Sequence, residues 1–475
     1  MPLPRVRVPA TEEFRAGFAA IRERLGVPES MPEAVEAAGR EAARRAWSAD
    51  RVDRRDLELV TIDPVGSRDL DQALHIETRG DGHRVSYAIA DVAAFVDPGD
   101  LIDQEAWRRV VTLYSPDHRA PLHPAPLSEA AGSLLADGDR PAVLWTIDLD
   151  HRGEVADRRV ERAVVRSRAQ LGYQEAQRLT DAGGHPALGA LPTVGERRIA
   201  LQTERGGISL HLPNQEVVEA DGGYDVVFEA PLRIEQWNEQ ISLLTGMVAA
   251  ELMLDAGTGL LRTLPPPPDF VVRALGRCAR GLGVDWPKKA EDYASILAGL
   301  DPSRSDHAAL ITQSARLFRG AGYVGFAGER PELTEQAAIG SPYAHVTAPL
   351  RRLGDRFATE LALSAHAGRP PAGWAVEALD LLPATLEDGA RQQSALDRAC
   401  VDFTEAMVLR DRVGQRFSVV VTEVDKADLR VQFRDPAVLA RARGDGLAAG
   451  QEAEVELVAV HPEEGRIELR AVASG

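Results

Sequence analysis

The sequence predicts an α+β protein in three parts: a small helical module over residues 1–55, a large mixed domain over 56–411 and an all-β barrel over 412–475. Three observations predict it. Apolar residues recur at helical spacing before residue 50, the pattern switches to period two from Leu57, and strands crowd together again after Gly414.

In the helical module, Phe14, Phe18, Ile21 and Leu25 repeat behind Thr11, and Gly26 and Pro28 stop the helix. Ser30 followed by Glu33 predicts a capping box, with Pro32 near the first turn of a second helix on which Val35, Ala38, Ala42 and Trp47 share a side. The pair reads as helix-turn-helix-like or as a helical arm packed on the rest of the chain, and the pattern leaves both open.

From Leu57, the stretches LELVTID, ALHIET and RVSYAIADV read as strands, with a Gly-Asp-Gly turn at 80–82. Long helical stretches at 235–255 and 349–365 are mixed among such strands, which makes 56–411 one α+β domain. The run LPPPPD at 264–269 is a stiff loop within it. After Gly414, RFSVVVTEV, LRVQF, QEAEVELVAV and GRIELRAV outline a roughly five-stranded barrel with a short helical insert at 436–443. OB-folds bind single-stranded nucleic acid on such barrels, but Phe417 and Phe433 are the only aromatic residues in the segment, so a plain β-domain is as good a reading.

The 475 residues carry 55 Lys+Arg against 73 Asp+Glu, a net charge of −18, with 44% hydrophobic residues, an ordinary globular composition. The acidic balance argues against coating nucleic acid by charge alone and leaves room for a local basic channel or an acidic metal cluster. Cys278 and Cys400 are the only cysteines and lack ligand spacing, which excludes a disulfide framework and a zinc site and makes a reducing cytoplasm the expected compartment. The N-terminal MPLPRVRVPATEEF has no apolar targeting core, and no stretch approaches the roughly 18–20 apolar residues that span a bilayer, so no membrane association is expected.

The stretch TIDPVGSRDLDQA carries the chemistry: Asp63 ends an apolar strand, and Asp69 and Asp71 follow in a Gly-containing loop. Asp69 and Asp71, two apart, point the same way in an extended segment, and a Pro-Gly loop can fold them back onto Asp63. Such a cluster is a solvated acidic turn, or a site where Mg²⁺ or Mn²⁺ relieves the repulsion and acts on a phosphate. In YAHVTAPLRRLGDR, Arg351 and Arg352 follow Pro349 near a helix start, where a guanidinium can clamp a phosphate. Together the two stretches suggest a phosphodiester held between metal ions and an arginine.

These residues resemble the ribonuclease II / RNase R family of 3′→5′ exoribonucleases, whose RNB catalytic domain carries a TID-x₅-D-x-D-D-A pattern. The resemblance continues through AIADVAAFVDPGDLIDQEA, LYSPDHRAPLHPAPLSE and YAHVTAPLRRLGD, covers roughly 55–411, and extends to a closing OB-fold RNA-binding barrel. It implies a hydrolytic, Mg²⁺-dependent (Mn²⁺ also suitable) exoribonuclease that releases nucleoside 5′-monophosphates and works as a monomer. By position it implies that Asp63, Asp69, Asp71 and Gln72 hold the metal ions, that Asp71 and Arg351 are catalytic, and that Tyr114, Arg351 and Arg352 contact RNA, Tyr114 by stacking on the 3′-terminal base. His345 matches a motif position and is expected to be a neutral structural histidine.

Three departures stand out. The family's fourth aspartate is Gln72, whose amide oxygen can ligate a cation without supplying charge. Gln240 and Gly246 replace the usual Glu and Asn, which leaves both positions without an assigned role. Helices precede the core where bacterial members carry cold-shock barrels, and from this follows an expectation that single-stranded RNA with an adjacent duplex is degraded further. Two other readings remain: an RNA-binding protein with a degenerate nuclease site, and a phosphohydrolase of small nucleotides or DNA ends.

Overall fold

The computed structural model describes residues 5–9, 11–207, 214–220, 223–229, 231–286, 293–301, 304–425, 427–433 and 438–472. Its centre is a six-stranded sheet in the order Val52–Asp53, Val155–Leu171, Leu59–Ile62, Gln72–Arg79, Gly82–Ala90 and Asp139–Leu149. The 17-residue strand Val155–Leu171 also pairs with Asp139–Leu149, so the sheet curls back onto its own longest strand. Leu59–Ile62 runs parallel to that strand, and the other main neighbours are antiparallel.

Side chains alternate across a strand, and here both faces are buried. Leu74, Ile76, Tyr87, Ile89, Trp145 and Ile147 pack on one side with the helices Arg233–Ala256 and Leu353–His366. Ala73, Ala88, Ala90, Ala142 and Leu144 pack on the other with Leu59, Phe95 and Leu127. Helix Arg233–Ala256 presents Ile234, Trp237, Ile241, Leu244 and Val248 to the first core and ends on Gly257 at φ +72°, the left-handed cap that glycine adopts without strain.

The two N-terminal helices form, and each joins a different core. Helix Glu12–Arg24 is capped by Thr11, whose Oγ1 accepts the Phe14 N–H, and it buries Phe14, Phe18 and Ile21 against Leu396, Cys400 and Phe403 of helix Leu382–Leu409. A Cβ on Gly17 would stand 2.0 Å from the Phe403 ring, so the two helices meet as closely as backbone allows. Helix Glu33–Ala42 sends Val35 and Ala42 into the core beneath Leu59 and Phe95. The expected Ser30 capping box does not form: Pro32 occupies the N-cap without a side-chain bond, and the Ser30 carbonyl instead accepts from Arg109 at 2.7 Å. Trp47 lies beyond the end of the helix and still packs on the same core.

The last unit is a closed barrel in the order Arg416–Asp425, Asp428–Phe433, Leu439–Arg443, Arg466–Ala471, Glu452–His461. The expected helical insert at 436–443 is corrected: Leu439–Arg443 is a strand paired with Asp428–Phe433, and residues 436–437 lie outside the described residues. Phe417 and Phe433 are 5% and 1% exposed with ring centroids 5.0 Å apart, so both aromatics fill the barrel and neither is offered to a base. The Gln313 amide donates to the Thr422 carbonyl at 3.1 Å, and Arg316 pairs with Glu423, which seats the barrel on the larger domain. No described helix is long and apolar enough to cross a membrane.

Candidate active site

Strand Leu59–Ile62 is buried along its whole length, and Asp63 follows it with its N–H on the Leu171 carbonyl at 3.1 Å. The chain then turns through Pro64–Ser67, closed by the Ser67 N–H on the Pro64 carbonyl at 3.1 Å, with Gly66 at φ +89° where an L side chain is strained. This turn folds the next carboxylates back. Leu70 enters the core, pinned by its N–H on Ser133 Oγ at 2.9 Å, while Asp69 before it lines the cleft and Asp71 after it is buried against Arg351.

Asp71 is 2% exposed and both its oxygens are held. The Leu350 N–H donates to Oδ1 at 2.7 Å, and Arg351 Nε donates to Oδ2 at 2.8 Å. Burial pushes its carboxyl up to about 6 against the pull of Arg351. Burial likewise pushes Asp63 up to about 7; Arg351 opposes this, and Asp71 and Asp69 add to it. Asp63 Oδ2 is buried and has no hydrogen-bond partner.

The ribbon Leu113–Ser115/His118–Ala120 sets Tyr114 directly opposite Arg119. Both close on Asp69: the Tyr114 hydroxyl donates to Oδ2 at 3.2 Å, and Arg119 pairs with Oδ1 at 2.8 Å. The second guanidinium nitrogen of Arg119 goes to Glu129. Tyr114 stays 41% exposed, leaving part of its ring open to stack. Arg119 was not among the expected site residues; its signal in the sequence is its place across the Ser-Pro-Asp-His turn from Tyr114.

Arg351 is positioned by backbone lacing between distant segments. The Thr112 N–H donates to the Arg351 carbonyl at 2.9 Å and the Leu353 N–H to the Val110 carbonyl at 3.0 Å. Val110 sits at φ +64°, a strained conformation for a β-branched residue, where the chain leaves helix Leu101–Arg109 for the Tyr114 ribbon. A cleft of about 400 Å³ results, lined by Asp63, Asp69, Tyr114, Arg119, Arg351 and the loop between the two aspartates.

Two expected site residues are placed elsewhere. Gln72 opens strand Gln72–Arg79 on the same face as Leu74, pointing away from its neighbour Asp71. Its amide oxygen accepts from Tyr87 at 2.5 Å and Ser242 at 3.4 Å, and its nitrogen donates to the Thr347 carbonyl at 2.7 Å. Those bonds occupy the oxygen that was expected to reach a cation. Arg352 forks onto Asp355 at 2.9 and 2.8 Å, and Asp355 also takes the Ala348 N–H at 2.7 Å, so Arg352 braces the start of its helix. His345 accepts no charge: burial and the nearby Arg352 and Arg262 hold it well below the usual imidazole range, and its Nδ1 bonds the Tyr323 hydroxyl at 2.9 Å.

The structure also explains the two unassigned departures. A Cβ at Gly246 would lie 2.2 Å from the Tyr343 ring and 2.5 Å from the Ala344 carbonyl, so no side chain fits there. Gln240 is buried and donates to Gln202 at 2.8 Å, inside the fold.

Carboxylates are the hard oxygen donors that Mg²⁺ and Mn²⁺ take. Asp63, with its buried unpartnered oxygen, and Asp69 and Asp71 fit such an ion in donor chemistry. Among the described residues, no three His, Cys, Asp or Glu side chains stand together as a preformed metal site, and guanidinium groups pair with Asp69 and Asp71.

The family model described as the RNB domain matches residues 51–363. The chain belongs to the RNB-domain family. A model described as the RNase II-type exonuclease C-terminal S1 domain matches 415–472, the barrel that follows the RNB domain. The chain is 26% identical over 413 residues to exoribonuclease 2 of Haemophilus influenzae, covering 79% of this chain and 61% of that protein. Apo Mycoplasma genitalium RNase R superposes with a TM-score of 0.86 at 20% identity, covering 97% of this chain and 78% of that one; its complexes with ribose-methylated single-stranded RNA and with double-stranded RNA give 0.85 and 0.82. Yeast Ssd1, described as a pseudonuclease, matches at 0.65 and 14% identity over 90% of this chain and 53% of that one. The chain spans from a third to about three fifths of the length of the curated relatives it matches first.

Proposed function

We propose that this RNB-domain protein is a metal-dependent 3′→5′ exoribonuclease that releases nucleoside 5′-monophosphates. The observation that carries the reading is the convergence of Asp63, Asp69, Tyr114 and Arg351 on one cleft, with Asp71 buried beneath Arg351. A divalent ion bound there would supply a more acidic water and offset charge on the leaving oxygen. Asp63, Asp69 and Asp71 are the residues that would hold it.

The chain's own groups do the rest. Asp71 fixes the Arg351 guanidinium through Nε and leaves its two terminal nitrogens for phosphate oxygens. Charge developing on those oxygens in the transition state is then met by a donor already in place. The half-exposed Tyr114 ring stacks on the terminal base and sets which phosphodiester lies against Arg351. A larger cleft of about 840 Å³, with Arg24, Arg262, Arg391 and Arg398 in its walls, suits the backbone of a threaded strand.

The substrate we propose is single-stranded RNA, and the solved complex of M. genitalium RNase R with double-stranded RNA supports the extension to tailed duplexes. We further propose a monomer working in the cytoplasm, consistent with two free cysteines. The second reading, an RNA-binding protein with a degenerate site, is favoured by one observation, Gln72 tied to Tyr87 in place of a fourth carboxylate, and the same fold serves a pseudonuclease in yeast.

Product analysis of 5′-labelled RNA with Mg²⁺ and then Mn²⁺, beside Asp71→Asn and an all-DNA strand, separates the readings. A metal-dependent ladder shortening from the 3′ end, with nucleoside 5′-monophosphates released, supports the exonuclease. Tight retention of intact RNA with either metal supports the binding protein, and cleavage of the DNA strand removes the RNA reading. Tailed hairpins test the duplex extension, which fails if digestion always stops several nucleotides before the stem.

A further inference from the structure

Asp69 is the one cleft carboxylate whose two oxygens are both covered by side chains of the same ribbon, Arg119 on Oδ1 and Tyr114 on Oδ2. Asp63 offers a buried oxygen with no partner, and Asp71 is held by a peptide N–H and by Arg351. A cation approaching the cleft therefore meets one open carboxylate and a guanidinium on the next. That guanidinium already has a second acceptor, Glu129, in the π-helical turn Leu127–Ala131, a widened turn of a kind often found at functional sites. Arg119 and Glu129 are equally and partly exposed, whereas Asp69 is largely buried, so Arg119 can leave Asp69 without losing a charged partner.

We propose that Arg119 is a resident counter-cation that covers Asp69 and gives it up to a divalent ion while remaining on Glu129. Arg119 would then set the metal concentration at which the site fills. The inference rests on the metal-dependent reading of the cleft, and it deepens that reading by naming the group that opposes the ion.

The experiment is Mn²⁺ binding to the full chain without RNA, followed by electron paramagnetic resonance of the free ion, so the result does not depend on whether the chain cuts RNA. Arg119→Met removes the competitor and is expected to tighten Mn²⁺ binding about tenfold, the scale of one hydrogen bond to a charged group. Glu129→Gln removes the alternative acceptor, concentrates Arg119 on Asp69 and is expected to weaken binding several-fold. In the Arg119→Met background, Glu129→Gln is expected to have little further effect, because its influence passes through Arg119.

If Arg119→Met leaves Mn²⁺ affinity unchanged or weaker, the proposal is overturned while the metal site stands. An undiminished effect of Glu129→Gln in that background also overturns it, since Glu129 would then act on the ion directly. Absence of binding in every variant overturns the proposal together with the metal reading. Should Arg119→Met lose its thermal unfolding transition, Arg119→Lys is the replacement: its single ammonium cannot fork between Asp69 and Glu129, and intermediate tightening is expected, with none counting against the proposal.

Discussion

Leu350 and Arg351, consecutive in the chain, hold opposite oxygens of one buried carboxylate: the peptide N–H of Leu350 donates to Asp71 Oδ1 at 2.7 Å and Arg351 Nε donates to Oδ2 at 2.8 Å. Asp71 thus has no orientation open to it that does not also place Arg351. Asp71→Asn keeps the acceptor for Leu350 but turns an amide against the guanidinium or breaks the bond altogether. Turnover of single-stranded RNA is expected to fall by about 10²–10³-fold, the usual cost of misplacing one transition-state donor. RNA affinity should change little, because Arg351 keeps its charge; single-turnover rates and filter binding on one preparation check both, and a large loss of binding would place Asp71 in the RNA site instead.

The ring and the hydroxyl of Tyr114 have separable duties. The hydroxyl reaches Asp69 at 3.2 Å, and the residue, 41% exposed, lines the cleft. Tyr114→Ala is expected to weaken binding of a short RNA by about 1–3 kcal/mol, the worth of one stacked base. Tyr114→Phe should bind RNA as the parent does. Equal losses in the two variants, measured by fluorescence anisotropy, would rule out stacking as the source.

Much of the fold was legible because it is local. Phe14, Phe18 and Ile21 repeat at helical spacing and do bury one face of a helix, and the alternation in RVSYAIADV is the alternation of a strand buried on both sides. The three aspartates were legible for the same reason, since a turn of a few residues suffices to bring them together. Arg119 was not, because its partner Asp69 lies fifty residues away and only the pairing of the Tyr114 ribbon brings the two together. Ser30 carried a good capping signal, but the helix starts at Glu33 with Pro32 at its N-cap, which leaves the Ser30 hydroxyl two residues short of the capping position. Leu439–Arg443 is rich in Ala, Leu and Arg, good helix formers, yet the ladder to Asp428–Phe433 decided it as a strand. Gln72 shows the finest limit: one step along a strand reverses the facing of a side chain, and here it separates Asp71, on Arg351, from a core hydrogen bond to Tyr87.

His123 should make stability fall in mild acid. It is 2% exposed, its Nε2 meets the Pro349 carbonyl at 3.2 Å, and its Nδ1 has no partner. Burial first, and the charge of Arg356 second, lower its imidazole to about 3, so the folded chain keeps it neutral where the unfolded chain protonates it near 6.5. Its stabilising contribution is complete above about pH 6.5 and is lost as pH falls toward 3, at about 1.4 kcal/mol per unit. Urea unfolding between pH 7 and 5 should show a slope that His123→Leu reduces by about that amount. An identical slope in the variant would mean that other groups, such as His345, account for the acid sensitivity.

The C-terminal barrel, matched by the S1 domain model, is expected to meet RNA through charge. Phe417 and Phe433 are inside it, so base stacking is closed to it. On its outer face, Arg430 stands opposite Arg441 and Arg443 opposite Arg470 in the strand registers, while Leu429, Val431, Ala442 and Leu469 fill the interior. Like charges facing each other across strands destabilise a sheet; Glu423 and Glu456 offset the cost at Arg430 and Arg470, and Asp428 stands opposite Arg443 on its other side, which leaves Arg441 as the position of this ladder with no carboxylate set against it among the described residues. A polyanion laid across the strands would relieve the remainder. Arg441→Ala combined with Arg443→Ala is therefore expected to leave the melting temperature unchanged or raise it. The same pair should weaken RNA binding evenly across sequences and lower the slope of log affinity against log salt by about 1.4, roughly 0.7 per released counterion on a single strand. Binding titrations between about 50 and 200 mM salt read this directly. An unchanged slope would show that the arginine ladder does not meet phosphate, and the charge-lined cleft beside Arg391 and Arg398 would then carry the backbone contacts alone.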